Sequence, residues 1–146
     1  MNQLIQSLVE RSRKAQQVLC TYDQEKTDAI VKMFAKVIFD NAEPLAKLAV
    51  EESRMGVYED KVTKNKGKSR IIWNALKGKK SIGMIGRDEE AGLIEVAKPM
   101  GVIAAATPCT NPIVTPMCSA MYAVKCQNTI IIAPHPRSKK CAMAVA

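Results

Sequence analysis

At 146 residues, 47% hydrophobic and 25% charged, the chain is long enough for one domain with a real core and too apolar to be disordered over most of its length. No run nears the roughly 18 apolar residues of a membrane span, and the opening residues alternate apolar with polar instead of building the apolar block of a secretory signal, so a cytoplasmic protein is expected. Five irregularly spaced cysteines without a CxxC pair, and one His, argue against a zinc site or disulfide framework, while the net charge of +8 leaves an acidic partner open.

The first predicted element is an amphipathic helix, with Leu4, Ile5, Leu8, Val9, Ala15, Val18 and Leu19 opposite Glu10, Arg11, Arg13 and Lys14. Asp23 is the expected cap of a second helix, whose stripe of Ile30, Met33, Phe34, Val37 and Ile38 should be buried and which should break near Asn41. Pro44 suits only the first turn of a new helix, so a third runs from Asn41 to a stop at Gly56. A fourth crosses the basic window KVTKNKGKSRIIWNALKGKK, with Gly67 inside it and Gly78 at its end.

That window carries Lys61, Lys64, Lys66, Lys68, Arg70, Lys77, Lys79 and Lys80 without an acid, as many bases as the whole net charge. It reads as a solvated face neutralised by a neighbouring segment, or as a surface for nucleic acid or an acidic protein. One Trp and no interleaved aromatics leave base stacking weak, although phosphate attraction remains open.

The period then changes. Two short apolar runs around GRDEEAG predict a β-hairpin from Ser81 to Ala97, and Pro99 separates it from GVIAAAT, a candidate buried parallel strand of small residues. NPIVTPMCSAMYAVKCQ reads as a helix with Pro112 in its first turn, Pro116 kinking it early, and Ile113, Met117, Met121 and Val124 on one face. NTIIIAP is a second buried strand, completing a βαβ unit, and SKKCAMAVA begins a further helix. One βαβ cannot close its own sheet, so the chain is expected to be the front part of a larger α/β protein.

Ligands of such sheets lie at the strand carboxyl ends, where the turns TPCTN and PHPR should meet. Asn111 there either caps the following helix or points its amide NH2 at a ligand oxygen. His135, stiffened by flanking prolines beside Arg137, either contacts phosphate or ribose or is merely part of a polar loop. Cys109 lacks a nearby base and reads as a small packing residue rather than a nucleophile, and Cys118 and Cys126 as core. There is no GxGxxG or GxxxxGK[ST] loop.

AKPMGVIAAATPCTNPIVTPMCSAMYAVKCQNTIIIAPHPRSKK, with LAKLAVEESRMGVYEDKVTKNKGKS upstream, resembles the CoA-acylating aldehyde dehydrogenases. It is similar to the aldehyde dehydrogenase half of bifunctional aldehyde–alcohol dehydrogenases and to acylating succinate-semialdehyde and sulfoacetaldehyde enzymes. The resemblance implies an α/β fold: helices, a β-hairpin, then the first βαβ of a Rossmann-like NAD-binding domain. It implies a helical segment of the cofactor domain over 1–80, a hairpin of an oligomerisation element over 81–98, and the βαβ over 99–146, the catalytic domain lying outside the chain.

It further implies that Asn111 stabilises the oxyanion, that Thr107, Pro108 and Thr110 run beside the nicotinamide side of NAD, and that His135, Pro136 and Arg137 lie by the adenosine ribose and phosphates. The complete enzyme would convert an aldehyde, CoA and NAD to acyl-CoA and NADH as a homo-oligomer, without metal. The nucleophilic cysteine matches none of the five present, so this chain alone should be inactive. Cys109 departs from the Thr that such enzymes more often carry.

Overall fold

The computed structural model describes residues 3–146. Four helices come first: α1 (Gln3–Leu19), α2 (Gln24–Asp40), α3 (Ala42–Ser53) and α4 (Tyr58–Leu76). An antiparallel pair follows, β1 (Gly83–Asp88) and β2 (Leu93–Ala97), then β3 (Val102–Thr107), α5 (Val114–Lys125), β4 (Thr129–Pro134), a 3₁₀ turn at Pro136–Ser138, and α6 (Lys139–Val145). β3 and β4 pair in parallel, from Val102 beside Thr129 to Thr107 beside Pro134. The α/β class and the Rossmann-type strand–helix–strand are as the sequence predicts.

The core grows from α5. Ile113, Met117, Met121 and Val124 recur every three or four residues, share one face, and are all at most 9% exposed. They pack with Val31, Ala35 and Ile38 of α2 and Leu45 and Ala49 of α3, where the alanines let helix backbones approach closely. α1 lies against β3 and β4, and α5 packs on the same two strands.

Several expectations are corrected. On α2 the buried residues are Thr27, Val31, Ala35 and Ile38, whereas Met33 and Val37 are 56% and 46% exposed. The helix is apolar around much of its girth, and its close packing on α4 and α5 selects the side with the smaller residues. Met33 and Val37 are left lining an apolar groove with Ile130 and Val145. α1 buries only Leu19; polar ties hold it instead, with Thr129 Oγ1 donating to Ser12 O (3.1 Å) and Gln127 Nε2 to Leu19 O and Tyr22 O (3.2 and 2.8 Å).

β3 and β4 are mostly half-buried rather than buried, because each has only one neighbouring strand. Pro112 precedes α5, and Pro116 is its third residue, in the turn where N–H groups have no intrahelical acceptor; it therefore removes no helix bond. α3 stops at Arg54, in the left-handed region at φ 52°, two residues before Gly56 at φ 80°.

α4 runs through Gly67 unbroken. Its inner stripe is polar: Lys61, Asn65 and Ser69 are buried, with Asn65 Nδ2 donating to Ala42 O (3.1 Å) and Ser69 Oγ to Asn65 O (2.8 Å). The basic run thus wraps around the helix rather than forming one face. Lys66 turns to Glu43 (3.1 Å) and Arg70 lies over the Phe39 ring (5.4 Å), while Lys61 and Lys64 turn toward the loop after β3. No helix among the described residues is long and apolar enough to cross a membrane.

Candidate functional site

Parallel pairing in register brings the ends of β3 and β4 side by side, and His135 N donates to Thr107 O (3.0 Å), extending the ladder into the following turns. The turns TPCTN and PHPR therefore meet as expected. Thr107 is buried, Asn111 and His135 are half-buried, and Pro108, Thr110, Pro136 and Arg137 are exposed.

The Asn111 side chain does not cap α5. Its backbone carbonyl accepts from Thr115 N (3.1 Å), and its amide oxygen accepts from Lys64 Nζ (3.1 Å). An ammonium only donates, so the contact assigns Oδ1 to that side and leaves the NH2 on the other. There Nδ2 reaches Thr110 Oγ1 at a long 3.4 Å. Asn111 thus retains donor capacity at the strand ends.

His135 Nδ1 accepts from Arg137 N (3.2 Å), so the neutral ring carries its proton on Nε2. Arg137 is already engaged, its Nη2 donating to Ser53 O at the end of α3 (2.6 Å). The N-terminus of α6 is satisfied internally: the two Glu52 oxygens accept from Lys140 N and Cys141 N, each at 2.7 Å. Sequence reading missed Glu52, because a carboxylate eighty-eight residues from its partner leaves no local signal.

Burial raises the Glu52 carboxyl, but hydrogen bonds from the Cys141 thiol and the Lys140 and Cys141 amides, with the Lys140 charge, outweigh it and hold it below the ordinary carboxylate value. A depressed folded value means that this stabilisation is present above the unfolded carboxyl range and is lost as pH falls through it. Glu52→Gln should cost about 1 kcal/mol at pH 7, because the glutamine NH2 would face one of two N–H donors. Urea unfolding of both proteins at pH 7 and pH 3 checks it; equal losses on acidification would remove Glu52 as a titrating cap.

Neither Cys118 nor Cys141 presents an activated thiol here. Burial, then the hydrogen bond and charge of Glu52, push Cys141 up to about 12, and burial raises Cys118. Cys109 Sγ donates to Met55 Sδ at 3.6 Å, consistent with a packing role.

A family model described as "Aldehyde dehydrogenase family" matches residues 2–146. The chain is 57% identical over 136 residues to a succinate-semialdehyde dehydrogenase (acetylating) of Clostridium kluyveri, covering 93% of this chain and 30% of that protein. It is 42% identical over 135 residues to the bifunctional aldehyde-alcohol dehydrogenase AdhE of Escherichia coli K12, covering 92% and 15%. An acetylating aldehyde dehydrogenase from Geobacillus thermoglucosidasius has the same fold over 99% of this chain and 32% of its own, with a TM-score of 0.94 at 38% identity. The chain spans less than a third of the length of these curated relatives.

Proposed function

The chain belongs to the aldehyde dehydrogenase family, and from that we propose that it forms the oxyanion-donor side and one wall of the cofactor cleft in an NAD-dependent, CoA-acylating aldehyde dehydrogenase. The reaction is aldehyde, CoA and NAD⁺ giving acyl-CoA, NADH and a proton. The observation that carries the reading is the Asn111 amide, whose oxygen is taken by Lys64 (3.1 Å) and whose NH2 remains a donor at the strand ends.

Asn111 would donate to the oxygen that becomes negative when a cysteine thiolate attacks the aldehyde, and again when CoA attacks the acyl-enzyme. A donor aimed there is pre-organised, so no solvent has to reorient as charge develops. The attacking cysteine is assigned to a segment outside these residues, consistent with the raised Cys118 and Cys141 thiols and the Cys109 contact to Met55.

The polar groups suit a dinucleotide. Thr107, Pro108 and Thr110 would run along its nicotinamide side, with His135, Pro136 and Arg137 toward the adenosine ribose and phosphates. His135 would offer Nε2–H, and Arg137 only the part of its fork not held by Ser53 O. Because Glu52 fills the N-terminus of α6, phosphate would be met by side chains and not by that helix end. NAD, when bound, would accept the hydride from the thiohemiacetal carbon.

The hairpin leaves Met84, Leu93, Ile94 and Val96 more than half exposed, and we assign it to contacts between subunits of a cytoplasmic homo-oligomer. The division of the basic run between Glu43, Phe39 and the Asn111 turn counts against a nucleic-acid surface.

The test is NADH formation by the native gene product. Full rate is expected only with aldehyde and CoA together. Equal rates without CoA would make it a hydrolytic enzyme, and no NADH under any combination would overturn the reading.

A further inference from the structure

A buried lysine is costly unless paired, since its charge has left water for a poorly polarisable interior. Lys61 is 7% exposed, yet no carboxylate among the described residues forms an ion pair with it. Among the described residues its ammonium has one hydrogen bond, a long one to Thr110 O (3.4 Å). One helical turn later, Lys64 Nζ donates to Asn111 Oδ1 (3.1 Å), likewise without an acid. Two like charges three residues apart on α4 thus grip successive residues of one turn. Burial first, then the Lys64 charge, hold the Lys61 ammonium below the ordinary lysine range.

A lysine kept only for packing would normally be paired or replaced by methionine. We propose that Lys61 and Lys64 are positioning residues that lock the Thr110–Asn111 turn from behind and polarise the Asn111 amide toward the reacting oxygen. This rests on the oxyanion role proposed above for Asn111. Lys61 fixes the backbone through Thr110 O, while Lys64 fixes the amide rotation and draws electron density from the NH2, making it a stronger donor. Both charges also raise the local potential where negative charge develops, an advantage greater in the transition state than in the ground state.

The consequence separates stability from activity. In the native gene product, Lys61→Met removes an unpaired buried charge at nearly constant volume, so Tm should rise by a few degrees while kcat falls roughly tenfold. Lys64→Met, at an exposed position, should leave Tm unchanged and lower kcat roughly tenfold, with KM for NAD and for CoA within about twofold. Lys64→Arg, which keeps a cationic donor, should recover most of that rate. Asn111→Ala is measured alongside.

If Asn111→Ala loses rate while both methionine variants keep wild-type kcat, this inference fails and the oxyanion reading stands. If Asn111→Ala keeps its rate, both fall. A lower Tm in Lys61→Met would make Lys61 a structural tie and overturn its part. Equal rate losses in Lys64→Met and Lys64→Arg would overturn the charge argument.

Discussion

If Asn111 is the proposed oxyanion donor, Asn111→Ala in the native gene product is expected to lower kcat by about 10²–10³ with KM for NAD changed by less than about threefold. The asymmetry follows from when the amide acts. In the proposed role its NH2 would have little to bind in the ground state, where the aldehyde oxygen carries only a partial charge, and would gain most when that oxygen becomes an oxyanion. Asn111→Asp sharpens the test: the carboxylate should still accept from Lys64 Nζ, replacing a 3.1 Å contact with an ion pair, so Tm should hold. It offers no donor and would bring negative charge beside the proposed oxyanion, so its rate should fall at least as far as that of alanine. Steady-state NADH formation on both variants decides it, and kcat within threefold of wild type in both would remove Asn111 from the chemistry.

The same residue shows how far sequence takes such a site. Asn111 was legible as either a cap or a donor, and the structure removes the cap, because Lys64 takes the amide oxygen. The lysines were hidden by their own company. Within a run of eight bases nothing marks Lys61 as buried and Lys66 as paired with Glu43, because charge patterning reports composition whereas the helix sorts it by angle. The βαβ unit was readable for the opposite reason: Ile113, Met117, Met121 and Val124 recur at helical spacing, and the short β-branched run IIIA is bounded by Asn128 and Pro134, which leaves room for a strand and not for a helix. On α2 the apolar residues exceed one face, so periodicity alone could not choose between Met33 and Val31, and the packing of α4 did. α1 was legible as a helix but its attachments were not, because backbone carbonyls, which carry no sequence signature, supply them through Gln127 and Thr129.

The largest effect expected on stability lies away from the site, where Lys125 ends α5 with its side chain 3% exposed and its ammonium 2.5 Å from Asp28 Oδ1. Gln24 Nε2 also donates to Asp28 Oδ1 (2.9 Å), Ser81 N donates to Gln24 Oε1 (2.8 Å), and Ser81 Oγ donates to Lys125 O (2.5 Å). One network thus joins α2, α5 and the entry to the hairpin. Asp28→Ala strands an ammonium in the interior and should cost about 3–5 kcal/mol. Lys125→Met should cost less, because Asp28 is 21% exposed and its charge can still reach water. The double variant Asp28→Ala with Lys125→Met should be more stable than Asp28→Ala alone, since the penalty arises from the unpaired charge and not from the missing contact. Urea unfolding of the four proteins measures the cycle. Because the ammonium is buried, the coupling should change little between low and high salt; an Asp28→Ala cost below about 1 kcal/mol, or a coupling abolished by salt, would make the pair an ordinary surface bridge.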